Sequence, residues 1–344
     1  MRLAFCRGCG HVFNSEFDAG VLEYNSEYEN ALHYSAHFRD YENALVDELI
    51  RRYELRNRTV VDIGCGDGEF LETLCRRGGN RGFGFDPSHA PDGYGGRRDG
   101  NVVISREYYG SKHAALHADL ICSRHTLEHI AEPRQFLTSI RQSTGRSGVA
   151  VFFEVPNALY TLRDGGIWDL IYEHCSYFTP TSLERVFSES GYVPLGVAEA
   201  YGGQFLTIHA SMTEEACDGN NEMDVTELAA QVDTFTGKYH SKIDEWKRRL
   251  AEYEKKRCKV VVWGAGAKGT TFLNVLQPSA IEYVVDVNER KQGNYTPGTG
   301  QRIVAPQFLT DYRPEIVIVM NPVYVEEIRR IAGELGVEAE FLCA

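Results

Sequence analysis

"VVDIGCGDGEF", residues 60–70, is the stretch on which the fold turns. An apolar run leads into Asp62, Gly64, Gly66 and Gly68, a D-x-G-x-G-x-G turn. Glycines at such a turn let the backbone reverse tightly and come close to a ligand. The spacing departs from the G-x-G-x-x-G of dinucleotide sites, because Glu69 stands where the third glycine is required. Asp67, inside the loop, would repel a pyrophosphate. Asp86 closes the next strand, "GFGFDPS", twenty residues after Gly66. A carboxylate there can take both hydroxyls of a ribose. The stretch predicts a strand–turn–helix unit that holds a phosphate-free or cationic nucleoside.

Outward from it, "TVVDIGCG", "RGFGFDPS", "HADLICSRH" and "GVAVFFEVP" read as short apolar strands with helical or polar sequence between. This alternation predicts an α/β domain over residues 44–215, with a parallel sheet covered by helices. "CSRHTLEHI" closes the third of these strands and puts His129 in a following helix. "YEHCSYFTPTSLERVF" sets Glu173 next to His174, flanked by Tyr172 and Tyr177. A histidine beside a carboxylate ahead of a helix suits general-base chemistry as well as a docking loop. Thr181 or Ser182 would lie near the cap of that helix, with Glu184 in its first turn. "EAYGGQFLTIHA" reads as a turn into a strand, which makes Tyr201 and Gln204 candidate substrate contacts.

A polar stretch, "TEEACDGNNEMD", predicts a surface linker. From Val225 to Tyr253, apolar residues recur at steps of three and four, an amphipathic helix within a segment spanning 216–258. Its stripe would pack on its own chain or join a second copy in an oligomer. Residues 259–344 repeat the alternation with three apparent strands, a second and smaller Rossmann-like domain. Here "VVVWGAGAKGT" does satisfy G-x-G-x-x-G, through Gly264, Gly266 and Gly269, and Asp286 closes the next strand. Lys268 within the loop suits a phosphate. The two loops therefore point to different ligands.

A chain of 344 residues exceeds one ordinary core, in keeping with two domains. The net charge of −13 argues against coating nucleic acid or an anionic membrane by charge alone. No run of 18 apolar residues predicts a membrane span, and the N-terminus lacks a basic-then-apolar signal pattern. Nine cysteines at mostly irregular spacing suit a reducing, cytoplasmic setting. The exception is the pair Cys6 and Cys9 in residues 1–43.

The first loop and Asp86 resemble the leading motif of class I S-adenosylmethionine (SAM) methyltransferases. The whole chain resembles the sugar C-methyltransferases of antibiotic deoxysugar pathways, through "FCRGCGHVFN", "VDIGCGDGEFL", "YEHCSYFTPTSL", "WGAGAKG" and "VDVNERKQGNYTPGTG". That resemblance implies SAM as methyl donor and a small, nucleotide-linked keto-sugar as acceptor. It implies a class I methyltransferase domain, then the long helix, then the smaller Rossmann-like domain. It casts Asp62, Gly64, Gly66, Gly68, Asp86 and His125 as donor-binding. It casts His174 as base with Glu173 orienting it, and Tyr201 and Tyr34 as positioning the acceptor. Gly264, Lys268, Tyr177 and Gln204 would bind the substrate.

This sequence departs from the family in two places. Tyr201 stands where the family has a histidine before Gly-Gly, which leaves O-methylation open beside C-methylation. The family's zinc takes two C-x-x-C pairs, whereas Cys6 and Cys9 supply one. Two other classes remain open at this level: an NAD(P)-dependent oxidoreductase using the second loop, and a non-catalytic binding protein of the same fold.

Overall fold

The computed structural model describes residues 1–21, 33–88, 100–144, 147–212 and 225–344. The expected linker, residues 213–224, lies outside them. The chain divides into two compact units. The first comprises Met1–Tyr28, Tyr41–Tyr160 and Tyr172–Gln231, the second Glu29–Asp40, Thr161–Ile171 and Val232–Ala344.

Strands β1 (Leu3–Phe5) and β2 (Val12–Asn14) precede helix α1 (Ala36–Arg52). There follow β3 (Thr59–Ile63), α2 (Glu69–Gly78), β4 (Arg81–Phe85), β5 (Val102–Ser105) and β6 (Leu120–Arg124). Next come α3 (Pro133–Thr144), β7 (Ala150–Pro156), α4 (Ala158–Leu162), β8 (Ser176–Tyr177), α5 (Pro180–Glu189), β9 (Val193–Ala200) and β10 (Phe205–Ser211).

The main sheet of the first unit has the order β5-β4-β3-β6-β7-β10-β9. It is parallel from β5 through β7, and β10 runs antiparallel to both its neighbours. Alternation along each strand feeds two cores. Val61, Ile63, Ile121, Val151 and Phe153 pack in one. Val60, Leu120, Cys122 and Phe152 pack with α1 and α2 in the other. Strand order reverses on either side of β3, so the loop after β3 sits at the switch point where open α/β sheets take ligands.

Several sequence expectations meet corrections here. The sheet carries β5 and β9, which the apolar runs do not announce, and it is mixed where a parallel sheet was expected. β9 contains Pro194 and Gly196 and lies at the sheet edge, where a missing ladder donor is tolerated. His129 ends a 3-10 turn, Leu127–His129, because Pro133 opens the helix. Thr179 caps α5, with Pro180 in its first turn and Thr181 and Ser182 next to it. Ser182 completes that capping box, and Glu184 lies beyond the first turn.

Helix α6 (Val225–Lys256) is the long amphipathic helix. Its stripe of Leu228, Phe235, Ile243, Trp246 and Leu250 is buried within the chain itself. The second unit then has β11 (Val260–Trp263), α7 (Ala267–Leu276), β12 (Ile281–Val285), β13 (Arg302–Val304) and α8 (Leu309–Tyr312). β14 (Ile316–Val319), α9 (Val325–Glu334) and β15 (Glu340–Cys343) complete it. These form a parallel five-stranded sheet, β13-β12-β11-β14-β15, rather than three strands. The unforeseen β13 and β15 are its two edges. Again the glycine loop follows the strand where the order reverses. No helix among the described residues is long and apolar enough to cross a membrane.

Candidate active site

The loop after β3 is built by sterics. Gly64 has φ 74° and lies against Thr126, whose side chain occupies the place a β-carbon would need. Gly66 has φ 53° and faces open space, so it is the glycine that leaves room for a ligand. Gly64 N donates to the carbonyl of Phe85 at 2.8 Å. Gly66 N donates to Asp86 Oδ2 at 2.9 Å, and Ser88 N to Asp86 Oδ1 at 2.8 Å. The carboxylate at the end of β4 therefore holds the loop, and its remaining lone pairs can still accept from hydroxyls.

Asp67 and Glu69 border this cradle. Asp62, at 3% exposure, sits beneath it, and burial pushes its carboxyl up to about 7. Asp62 thus supports the loop from inside the sheet. An acidic, phosphate-averse cradle with a ribose-type carboxylate fits an adenosyl sulfonium ligand.

Beside the loop lies a buried charge network. Arg124 donates from Nε to Glu154 Oε1 at 3.0 Å and from Nη1 to Glu42 Oε1 at 2.7 Å. Tyr41 donates its hydroxyl to Glu154 Oε2. Burial opposes ionisation of Glu154, but Arg124, His125 and Tyr41 outweigh it and hold the carboxyl down to about 2. His125 follows β6 in the left-handed region, φ 50°, a strained setting for a non-glycine residue. Its backbone N–H donates to the carbonyl of Glu154 at 2.9 Å, and its Nε2 lies 3.1 Å from Glu154 Oε1. Nδ1 stands 3.8 Å from Glu128 Oε1, beyond hydrogen-bond reach. The sequence offers His125 as a donor contact; it also lies at ion-pair distance from a buried carboxylate, without hydrogen-bond geometry.

Tyr201 stacks on Phe205 at 4.9 Å and meets the Tyr41 ring at 4.9 Å, so it belongs to the same wall. The turn it opens is pinned by Asn157, whose Nδ2 donates to the carbonyl of Gly203 at 2.8 Å. Gln204 is buried there, its carbonyl accepting from Asn157 N at 2.9 Å. Tyr177 is buried in β8, with its ring 5.9 Å from His174. Tyr34 lies in the second unit, its ring stacked on that of His33 at 4.5 Å.

No hydrogen bond joins the side chains of Glu173 and His174. Glu173 presents its carbonyl to His129 Nδ1 at 3.0 Å. The rings of His174 and His129 meet edge to face at 4.9 Å. Burial pushes His174 well below the ordinary imidazole range, which favours its neutral form. Its near acid in space is Glu128, a residue that sequence adjacency had no means of pairing with it.

The second loop repeats the first in backbone terms. Gly264 N donates to the carbonyl of Val285 at 2.8 Å. Ala265 N donates to Asp286 Oδ2 at 2.7 Å, and Asn288 N to Asp286 Oδ1 at 2.8 Å. A β-carbon at Gly269 would collide with the carbonyl of Gly264, which is why α7 can press so close to β11. Lys268 pairs with Asp169 at 2.9 Å, both side chains about one-fifth exposed.

The N-terminal cysteines do not fit a zinc centre. The Cys9 thiol beside Cys6 lowers that thiol's pKa, while burial raises Cys9. Burial pushes His11 down to about 4, with its ring against Phe178 at 5.2 Å. Among the described residues, no third Cys, His, Asp or Glu joins the two thiols in a metal-sized group. Two thiols fall short of a tetrahedral structural site.

Residues 35–196 match the family described as a methyltransferase domain. Residues 201–341 match the family described as a C-methyltransferase C-terminal domain. No curated protein matches the chain. Among solved structures, a SAM-dependent methyltransferase from Aquifex aeolicus aligns over 49% of this chain and 89% of its own, at 15% identity and TM-score 0.38. An S-adenosylmethionine dependent methyltransferase from Mesorhizobium loti aligns over 47% and 95%, at 16% identity and TM-score 0.36. Magnesium protoporphyrin IX methyltransferase from Synechocystis PCC 6803, with bound SAH, aligns over 52% and 84%, at 14% identity and TM-score 0.37. With a methyltransferase domain around the acidic glycine loop and a C-methyltransferase C-terminal domain behind it, the chain is a SAM-dependent methyltransferase.

Proposed function

We propose that the protein methylates a carbon of a small, nucleotide-linked keto-sugar. The observation that carries this reading is the C-methyltransferase C-terminal domain over residues 201–341, whose glycine loop presents Lys268 at the start of a helix. A helix N-terminus with an adjacent ammonium group favours phosphate. That charge pattern supports a nucleoside diphosphate handle on the acceptor.

In the first unit the Gly66 cradle and Asp86 hold the donor. SAM, when bound, supplies an electrophilic methyl to the acceptor carbon. Carbon becomes nucleophilic only when a proton alpha to a carbonyl is removed. We assign that proton to His125 Nδ1, because Nε2 lies at ion-pair distance, 3.1 Å, from the buried Glu154 and Nδ1 stands 3.8 Å from Glu128, beyond hydrogen-bond reach. His174, the base suggested by resemblance, is enclosed among Glu128, His129 and Tyr177 and lacks such an orientation. Tyr41, Tyr201 and Phe205 line the wall beside His125 and give an apolar face to a sugar ring.

The test is label transfer. Methyl-labelled SAM is incubated with a panel of nucleotide-linked keto-sugars and with the same sugars lacking the nucleotide. Transfer to the linked sugars alone is expected, and the product should carry the new methyl on carbon. His125→Ala should retain donor affinity while abolishing both transfer and deuterium uptake at the acceptor's alpha carbon. Transfer to oxygen, or to free sugars as readily, would overturn the reading.

A further inference from the structure

We propose that Glu128, His129 and His174 bind one divalent transition-metal ion of the zinc, manganese or cobalt kind. Their ligand atoms all lie within 4.8 Å of one another, and they are the one such group of three among the described residues. Glu128 and His129 come from the turn after β6, while His174 arrives with the segment ahead of α5. The backbone joins the two: Cys175 N donates to the carbonyl of Glu128 at 2.9 Å.

His129 is already oriented. Its Nδ1 lies 3.0 Å from the carbonyl of Glu173. A bond from Nδ1 to a backbone carbonyl is the outer-shell contact that orients many metal-bound histidines.

The second, independent observation is two polar atoms without partners. Glu128 Oε2 and His174 Nδ1 are both buried and make no hydrogen bond. Their residues are 1% and 8% exposed. Leaving such groups unpaired costs about 1–3 kcal/mol each, and more for an ionised carboxylate. Among the described residues, no lysine or arginine pairs with Glu128. A cation between the carboxylate and the imidazoles satisfies both orphans at once.

Two imidazoles and one carboxylate form a three-ligand set, which leaves coordination positions open for water or a ligand oxygen. The turn begins at Thr126, which packs on Gly64 of the donor loop. An oxygen of the methyl acceptor is therefore the class of ligand suited to the open position. Only that role rests on the methyltransferase reading; the binding of the ion does not.

The experiment uses the full chain, stripped with a chelator and titrated calorimetrically with zinc, manganese or cobalt chloride. Cys6→Ser/Cys9→Ser removes background binding by the thiols. One equivalent of ion is expected in that variant as in the parent. Adding Glu128→Gln or His174→Gln should weaken binding at least tenfold. Cobalt loading should give visible absorption bands that each of these changes removes. If His174→Gln does not fold, Glu128→Gln carries the test, together with the ion-induced rise in melting temperature of the unaltered triad. Absence of binding tighter than about 100 µM in the cysteine-free variant would overturn the proposal. So would undiminished binding in both triad variants. SAM affinity, measured separately, would fail on its own if the methyltransferase reading were at fault.

Discussion

The chain builds the same backbone device twice and fills it with opposite chemistry. In both loops the first glycine N–H donates to the last strand carbonyl, 2.8 Å in each case. In both, an aspartate at the end of the next strand receives one loop N–H and the N–H two residues on. The side chains differ. The first loop carries Asp67 and stands over Asp62; the second carries Lys268, and Val262 holds the place of Asp62 in its strand. A glycine count thus identifies the shared turn, and the charge carried inside it is what sets the two loops apart.

The largest effects should come from the glycines that touch protein rather than ligand. Gly64→Ala meets Thr126 and a positive φ; Gly269→Ala meets the carbonyl of Gly264. Each should cost about 3–5 kcal/mol, because neither neighbour can yield cheaply. Gly66→Ala, which faces open space at φ 53°, should cost only about 1 kcal/mol in stability. It should nevertheless weaken SAM binding at least tenfold by filling the cradle. Calorimetric unfolding and SAM titration of the three variants separate wall glycines from the ligand glycine. Unchanged SAM affinity in Gly66→Ala would place the donor elsewhere.

Next in size is the buried acid that only the first loop has. Burial lifts the Asp62 carboxyl from 3.8 to about 7. The folded chain therefore holds a proton that the unfolded chain releases. The stability this contributes is complete below about pH 4 and is lost as pH rises to 7. Asp62→Asn should match the parent near pH 4 and exceed it at pH 8, by at most about 4 kcal/mol. Arg124 favours the charged form, so that figure is a ceiling. Urea unfolding at the two pH values decides. A variant weaker than the parent at pH 8 would mean that an ionised Asp62 is required.

The paired aspartates should respond unequally. Asp86→Ala removes the acceptor for Gly66 N and the ribose carboxylate, so SAM affinity should fall about 10- to 100-fold, or 1.4–2.8 kcal/mol. Asp286→Ala loses the equivalent loop bonds and should destabilise the second unit by about 1–2 kcal/mol, leaving SAM affinity intact. Equal loss of SAM affinity in both variants would erase the distinction between the loops.

Both loops were legible in the sequence because sterics leaves few residues that can occupy them. Asp86 and Asp286 were legible for a related reason, as acids that end the strand after a glycine turn. The edges were not: β13 has three residues, and β9 carries a proline and a glycine that break the apolar pattern. Nor was the partnership of His174 with Glu128 and His129. Adjacency favoured Glu173, but that residue turns its carbonyl, not its carboxylate, toward the imidazole cluster. Side chains far apart in the chain meet through such contacts as the backbone bond from Cys175 to Glu128, and no local spacing encodes them.

The smallest effect, and the sharpest test of the charge contrast, belongs to Lys268. Its ion pair with Asp169 is mostly shielded, about one-fifth exposed on each side, so Lys268→Ala should cost about 1 kcal/mol in stability. A lysine at the head of a helix behind a glycine turn suits a phosphate. Uridine diphosphate should bind the parent and lose about tenfold in affinity to the variant, a loss of about 1.4 kcal/mol. Added salt should shrink that difference, because an exposed ammonium–phosphate attraction is screened. SAM affinity should stay level, since the donor loop carries no cation of its own. Uridine diphosphate binding that ignores both the substitution and the salt would mean that the second turn kept its glycines for packing alone, and that the charge of a loop is no guide to its ligand here.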